Sequence, residues 1–138
     1  MRRSFLLPLA LLAALVTLPA FTSAPGDADD PQVYAVVFTA DWCPSCKVLD
    51  PKLAAVTDDL AAMGVEVIAL DLTDAASRRR AKAEAIGGGY GEVYAQHEGA
   101  TGFALLLSAE TKEVLDRIVS TDSEADIRRK ARAALADA

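Results

Sequence analysis

The chain has 138 residues, 52% hydrophobic and 25% charged, with two cysteines and one histidine. That suits a single globular domain: it is too short for two and too apolar for a disordered or fibrous chain. The formal charge is −6, and setting aside Arg2 and Arg3 leaves 12 basic against 20 acidic residues, a net of −8. Nucleic acid is therefore not an expected partner.

The N-terminus has the layout of a secretory signal. Arg2 and Arg3 supply positive charge, Phe5 to Leu18 form an apolar stretch, and Pro19 interrupts it before the small residues Thr22, Ser23 and Ala24. We expect a signal peptide over residues 1–24 with cleavage after Ala24, and an uncleaved anchor as the alternative. The apolar part falls short of the roughly 20 residues that span a bilayer comfortably. The opening Arg-Arg-Ser-Phe-Leu is also similar to a twin-arginine export signal. Either route leads to an oxidising compartment, and the bacterial periplasm fits best. Residues 25–31 read as an acidic linker containing Asp27, Asp29 and Asp30, and residues 32–138 as the folded domain.

Val33 to Thr39 is a continuous run of apolar, β-branched and aromatic residues, as expected of a strand buried on both faces and central in its sheet. A helix is predicted from Pro44 to Met63, with Leu49, Leu53, Val56, Leu60 and Met63 on one face and Lys47, Asp50, Lys52, Asp58 and Asp59 on the other. Gly64 ends it, and Val65 to Leu72 forms a second strand, giving a parallel crossover unit. Thr73 or Asp74 caps a second, Ala-rich helix that stops at Gly87, Gly88 and Gly89. Its basic run, Arg78, Arg79, Arg80 and Lys82, reads as a solvated face rather than a dock for an acidic partner.

A polar, Gly-rich connection leads to Gly102. Tyr90 and Tyr94 within it are expected to anchor the loop rather than line a groove, and His97 to be a loop residue rather than a ligand. Phe103 to Leu107 and Val114 to Val119 are two antiparallel strands joined by a turn over residues 109–113. Asp122 or Ser123 then caps a last helix that turns Ile127, Ala131, Ala134 and Leu135 inward. The expected order is β-α-β-α-β-β-α.

Chemistry is concentrated at the first strand-to-helix junction, Ala40-Asp41-Trp42-Cys43-Pro44-Ser45-Cys46-Lys47. A Cys-x-x-Cys that opens a helix places Cys43 at the cap and Cys46 inside the first turn, so the sulfurs can meet. Pro44 falls at the first helical position, where a missing N–H costs nothing, and the next N–H groups are free to face the Cys43 sulfur. Those donors and the positive end of the helix dipole favour thiolate, which makes Cys43 the nucleophile. Cys46 lies one turn before Leu49 on the buried stripe and should act as the shielded resolving thiol, helped by high effective concentration.

These residues resemble the thioredoxin superfamily. The strand Val33 to Thr39, Ala40-Asp41-Trp42 before the first cysteine, Lys47 after the second and Pro51 five positions beyond it match family positions. The resemblance runs from Tyr34 to the C-terminus. It implies an α/β thioredoxin-like fold with a four-stranded mixed sheet flanked by helices, lacking the first strand and helix of the full fold. It further implies Trp42 packed beside the disulfide, a kink at Pro51, and reaction with thiols or disulfides of other proteins. Trp42, Pro44, Thr101 and Gly102 are the expected substrate-binding and supporting residues.

Two departures stand out. The family carries a buried acid six positions before the first cysteine, where this chain has Val37, so no carboxylate is available there to move the Cys46 proton. The family also places a cis-proline opposite the cysteines, whereas no proline follows Pro51 here; Gly102, in Ala100-Thr101-Gly102-Phe103, takes that place.

The leading expectation is a thiol-disulfide oxidoreductase of unassigned direction. It would use the Cys43–Cys46 pair with no metal, flavin or nicotinamide, act as a monomer, and if a reductant draw electrons from a membrane donor. A purely structural disulfide over so short a loop would contribute only roughly 2 kcal/mol. Structural zinc needs about four ligands, against two cysteines and His97. Copper(I) accepts fewer, soft ligands, so a copper-binding thioredoxin-like module is one alternative. A redox-inactive module that binds peptide near Gly102 is another.

Overall fold

The computed structural model describes residues 30–138. The signal expected over 1–24 and most of the linker expected over 25–31 lie outside the described residues. β1 (Val33–Thr39), α1 (Pro44–Ala62), β2 (Val65–Asp71), α2 (Ala75–Gly87), α3 (Gly91–Gln96), β3 (Phe103–Ser108), β4 (Val114–Val119) and α4 (Glu124–Asp137) follow in order. They form one four-stranded sheet ordered β2-β1-β3-β4, with β1 parallel to β2, and both the β1–β3 and β3–β4 pairs antiparallel.

The central position of β1 accounts for its unbroken apolar run, because successive side chains enter different layers. Ala35 and Val37 join Leu49, Leu53, Val56 and Leu60 of α1 and Ile127, Ala131 and Ala134 of α4 in one core. Val36 and Phe38 point the other way, to Ala81, Ala85, Tyr90 and Tyr94. The α1 stripe at steps of four, three and four is buried, and each of its large apolar side chains contributes about 1.5–3 kcal/mol of burial. Gly64, at φ +92°, turns the chain out of α1 in a conformation that other residues adopt only with strain.

The connection before Gly102 differs from expectation because it contains α3. Six residues starting with glycine have little helical propensity, and tertiary burial supplies what propensity lacks. Tyr90 and Tyr94 are 3% and 1% exposed. Burial, then the nearby Glu84 and Glu66, push the Tyr90 hydroxyl up to about 12. Burial likewise raises that of Tyr94, whose O–H donates to the Arg78 carbonyl at 3.3 Å. Both tyrosines anchor the segment from inside the core. His97 caps α3 at its C-terminal end, with its ring 5.8 Å from that of Phe38 and 5.6 Å from that of Phe103, and its Nδ1 2.9 Å from the Val93 carbonyl. In α2, Arg78 donates to the Leu72 carbonyl and Arg80 to Ser77, while Arg79 and Lys82 stand exposed.

Asp74 caps α2 by accepting the Ser77 N–H at 2.8 Å. Ser123 caps α4 in a reciprocal box, its hydroxyl accepting the Asp126 N–H at 3.2 Å while Asp126 accepts the Ser123 N–H at 3.0 Å. Asp122 instead braces the corner, accepting from the Val119 N–H and from Lys130. Lys52 crosses from α1 to donate to the carbonyls of Ser120 and Asp122 at 2.7 and 2.8 Å, which fixes the α1–α4 layer. Among the described residues, no helix is long and apolar enough to cross a membrane.

Ser123→Ala should lower stability by about 1 kcal/mol at neutral pH, read as a shifted urea midpoint with an unchanged slope. The Ser123 hydroxyl and N–H, then Arg129, hold the Asp126 carboxyl well below the usual carboxylate range. That contribution is complete above the unfolded value near about pH 4 and is lost as pH falls through the lowered folded one. The penalty should therefore shrink on acidification, and an equal penalty in strong acid would contradict the box.

Candidate active site

The site forms where β1 runs out. The Cys43 N–H donates to the Ala40 carbonyl at 3.0 Å, closing a turn that delivers Cys43 in extended geometry (φ −85°, ψ 114°) to the N-cap of α1. Pro44 follows at the first helical position. The Cys46 N–H then points back at Cys43 Sγ at 3.2 Å, so the sulfur takes the place of a side-chain cap. No acidic residue occupies the first turn of α1, and nothing there competes with the sulfur for the positive end of the helix.

Cys43 and Cys46 are disulfide-bonded with Cα atoms 5.3 Å apart, and they pack with Ala40 in a small cluster. They are 4% and 1% exposed. Cys46 Sγ lies 3.9 Å from the Phe38 carbonyl, beneath the end of the strand.

Gly102 closes the site from the opposite side. Its N–H donates to the same Phe38 carbonyl at 2.8 Å, which extends the β1–β3 ladder by one rung. At φ +89°, a Cβ there would stand 2.6 Å from the Cβ of Ser45 and 3.3 Å from Cys43 Sγ. The absence of a side chain thus lets the backbone touch the disulfide. Thr101, half-buried, sits beside it. No peptide bond among the described residues is cis.

Trp42 is 55% exposed, with its indole N–H donating to the Thr73 carbonyl at 3.0 Å. The Asp41 N–H donates to the Thr73 hydroxyl at 3.0 Å, so the β2–α2 loop holds the segment before Cys43 from both sides. Thr73 in turn is held by Asp71, whose carboxyl its hydroxyl and N–H keep below the usual range. A large indole thus stands exposed, fixed next to the cysteine pair.

The helical pattern misplaced two residues. Lys52 and Asp50 were expected on the solvent side of α1, yet Lys52 makes the clamp described above and Asp50 is half-buried. Asp50 accepts from the Thr39 hydroxyl at 2.7 Å, and its other oxygen is buried without a hydrogen-bond partner. The signal for it was its spacing, four residues after Cys46, which places the two on one helix face.

Among the described residues, no cluster of three or more His, Cys, Asp or Glu could hold a metal. A cavity of about 1130 Å³ borders Gln32, Met63, Gly64 and Ser108 at the far end of the sheet from the cysteines.

The family model described as thioredoxin matches residues 20–87, which contain the cysteine pair and stop short of Gly102. A search of curated proteins found no match. Among solved structures, the chain is similar to a thioredoxin-family thiol:disulfide interchange protein from Chlorobium tepidum, with 24% identity, a TM-score of 0.52, and 75% of this chain and 80% of that one covered. It is also similar to StoA from Bacillus subtilis, with 16% identity, a TM-score of 0.51, and 75% and 84% covered. At these identities the likeness concerns the fold.

Gly102→Ala should cost about 1–3 kcal/mol through backbone strain and the contact with Ser45. Adding Ser45→Gly should leave a combined loss smaller than the sum of the two single losses. A loss for Gly102→Ala within about 0.5 kcal/mol in urea unfolding would contradict the close approach.

Proposed function

We propose that this chain, which belongs to the thioredoxin superfamily, is a thiol-disulfide oxidoreductase acting on protein thiols and disulfides outside the cytoplasm. The observation that carries the reading is the Cys46 N–H directed at Cys43 Sγ at 3.2 Å, with the partner sulfur in the same turn. A thiolate at Cys43 inherits that donor and the helix dipole, so it forms easily and also leaves easily. The 1130 Å³ cavity is remote from the sulfurs, and the exposed Trp42 adjoins them, which supports a macromolecular substrate docked by its surface.

In the reducing direction, the Cys43 thiolate attacks one sulfur of a substrate disulfide and expels the other as thiolate. Cys46 then attacks Cys43 Sγ, closing the Cys43–Cys46 bond and releasing the second substrate thiol. Two electrons have passed from the pair to the substrate. In the oxidising direction the same steps run backwards from the disulfide. Which direction prevails depends on a potential for which 30 mV corresponds to about 1.4 kcal/mol. The pair is itself the electron carrier, and no further cofactor is required.

The N-terminal signal layout and the persistence of disulfides outside the cytoplasm support export, best to a periplasm. A reductant working there draws its electrons from a membrane donor. The chain acts as a monomer.

Cys46→Ser should accumulate mixed disulfides between Cys43 and exported proteins, visible on nonreducing gels and lost on reduction, while Cys43→Ser should form none. Equilibrated against glutathione buffers, the native chain should show one two-electron transition. A pair that stays oxidised or reduced across all physiological ratios, with no trapped protein, would refute the proposal. Copper retained stoichiometrically through purification would favour a metal carrier instead.

A further inference from the structure

The resolving step leaves a proton to account for. Cys46 is 1% exposed, so its thiol proton reaches water only poorly, and it packs in a small buried cluster with Ala40 and Cys43. We propose that Asp50 is the base that removes this proton, an inference that rests on the thiol-exchange reading.

Three observations converge on it. Asp50 follows Cys46 by one helical turn, which puts the Cβ atoms roughly 5–6 Å apart on one face. Side chains on a helix lean towards its N-terminus, so the Asp50 carboxyl lies over the turn that contains Cys46. Both groups also reach consecutive residues of β1: Cys46 Sγ lies 3.9 Å from the Phe38 carbonyl, and Asp50 Oδ2 accepts from Thr39 Oγ1 at 2.7 Å. With Oδ2 occupied, Oδ1 is the acceptor left over, and it is buried with no hydrogen-bond partner. A buried acceptor without a donor is costly and uncommon. In the reduced chain the Cys46 S–H is a donor within that neighbourhood.

Competing charges are engaged elsewhere. Lys52 on the same helix is held by the carbonyls of Ser120 and Asp122, and Asp50 belongs to no ion pair among the described residues. Lys47 is exposed. Thr39, from β1, is neutral and fixes the carboxylate.

With the substrate held on Cys43 as a mixed disulfide, the Cys46 S–H gives its proton to Asp50 Oδ1. The resulting thiolate forms the bond to Cys43 Sγ and breaks the Cys43–substrate bond, and the electron pair leaves on the substrate sulfur. That thiolate takes up a proton as it departs, and Asp50, which is half-buried, gives its own to solvent, so that the oxidised chain again carries the carboxylate. Asp50 thus changes the speed of the second exchange and not that of the first.

The test is stopped-flow reaction of the reduced full chain with equimolar DTNB, which releases one coloured thiolate when Cys43 attacks and a second when Cys46 resolves. In Asp50→Asn the first phase should keep its rate and the second should slow about 100-fold at neutral pH. Raising the pH should restore the second phase, because hydroxide then removes the proton. Thr39→Val, which keeps the carboxylate but frees it to turn, should slow the second phase to an intermediate rate, and it carries the test should Asp50→Asn not fold. A second phase unchanged in either variant, or slowed equally at every pH, would overturn the role of Asp50. A native chain that shows no second phase would instead refute thiol exchange itself, whatever Asp50 does.

Discussion

One backbone N–H, that of Cys46, points at the sulfur of Cys43, and much of the fold serves to hold it there. The donor belongs to the first turn of α1, where backbone N–H groups have no helical partner and the helix dipole is positive. Its aim depends on where the helix starts relative to the strand. The turn closed by Ala40 fixes that start, and the buried stripe Leu49, Leu53, Val56 and Leu60 fixes the rest of α1 against the sheet. A slip of one residue along the stripe would carry Cys46 out of the core and turn the donor away.

The end of β1 acts as a shared anchor. The Phe38 carbonyl receives the Gly102 N–H and lies against Cys46 Sγ, while Thr39, one residue on, holds Asp50. Two segments far apart in sequence thereby meet the sulfurs from opposite sides. Gly102 admits its bare backbone against Cys43 where the family has a proline ring, so close approach is achieved here by removing a side chain. The exposed Trp42, tied to Thr73, leaves the third side open to solvent.

Much of this was legible in the sequence because it rests on local rules. The helical stripe of α1, the apolar runs of the two central strands and the caps of α2 and α4, narrowed to Thr73 or Asp74 and to Asp122 or Ser123, come from periodicity and side-chain chemistry within a few residues. The two cysteines were legible for the same reason, since their spacing alone lets them meet. Helix α3 was not, because six residues beginning with glycine are helical only once Tyr90 and Tyr94 are buried. Polarity alone places Asp50 and Lys52 towards solvent, whereas each reaches a specific partner on another element. Such partners become visible only when the strand end and the β4–α4 corner are placed in space.

The central claim is that Cys43 ionises at the helix start more readily than an ordinary thiol, and it is tested most directly by the alkylation rate of the reduced chain as a function of pH. In the Cys46→Ser variant, which isolates the one sulfur, a midpoint clearly below the roughly 8.5 of free cysteine is expected. A midpoint at or above that value would contradict it.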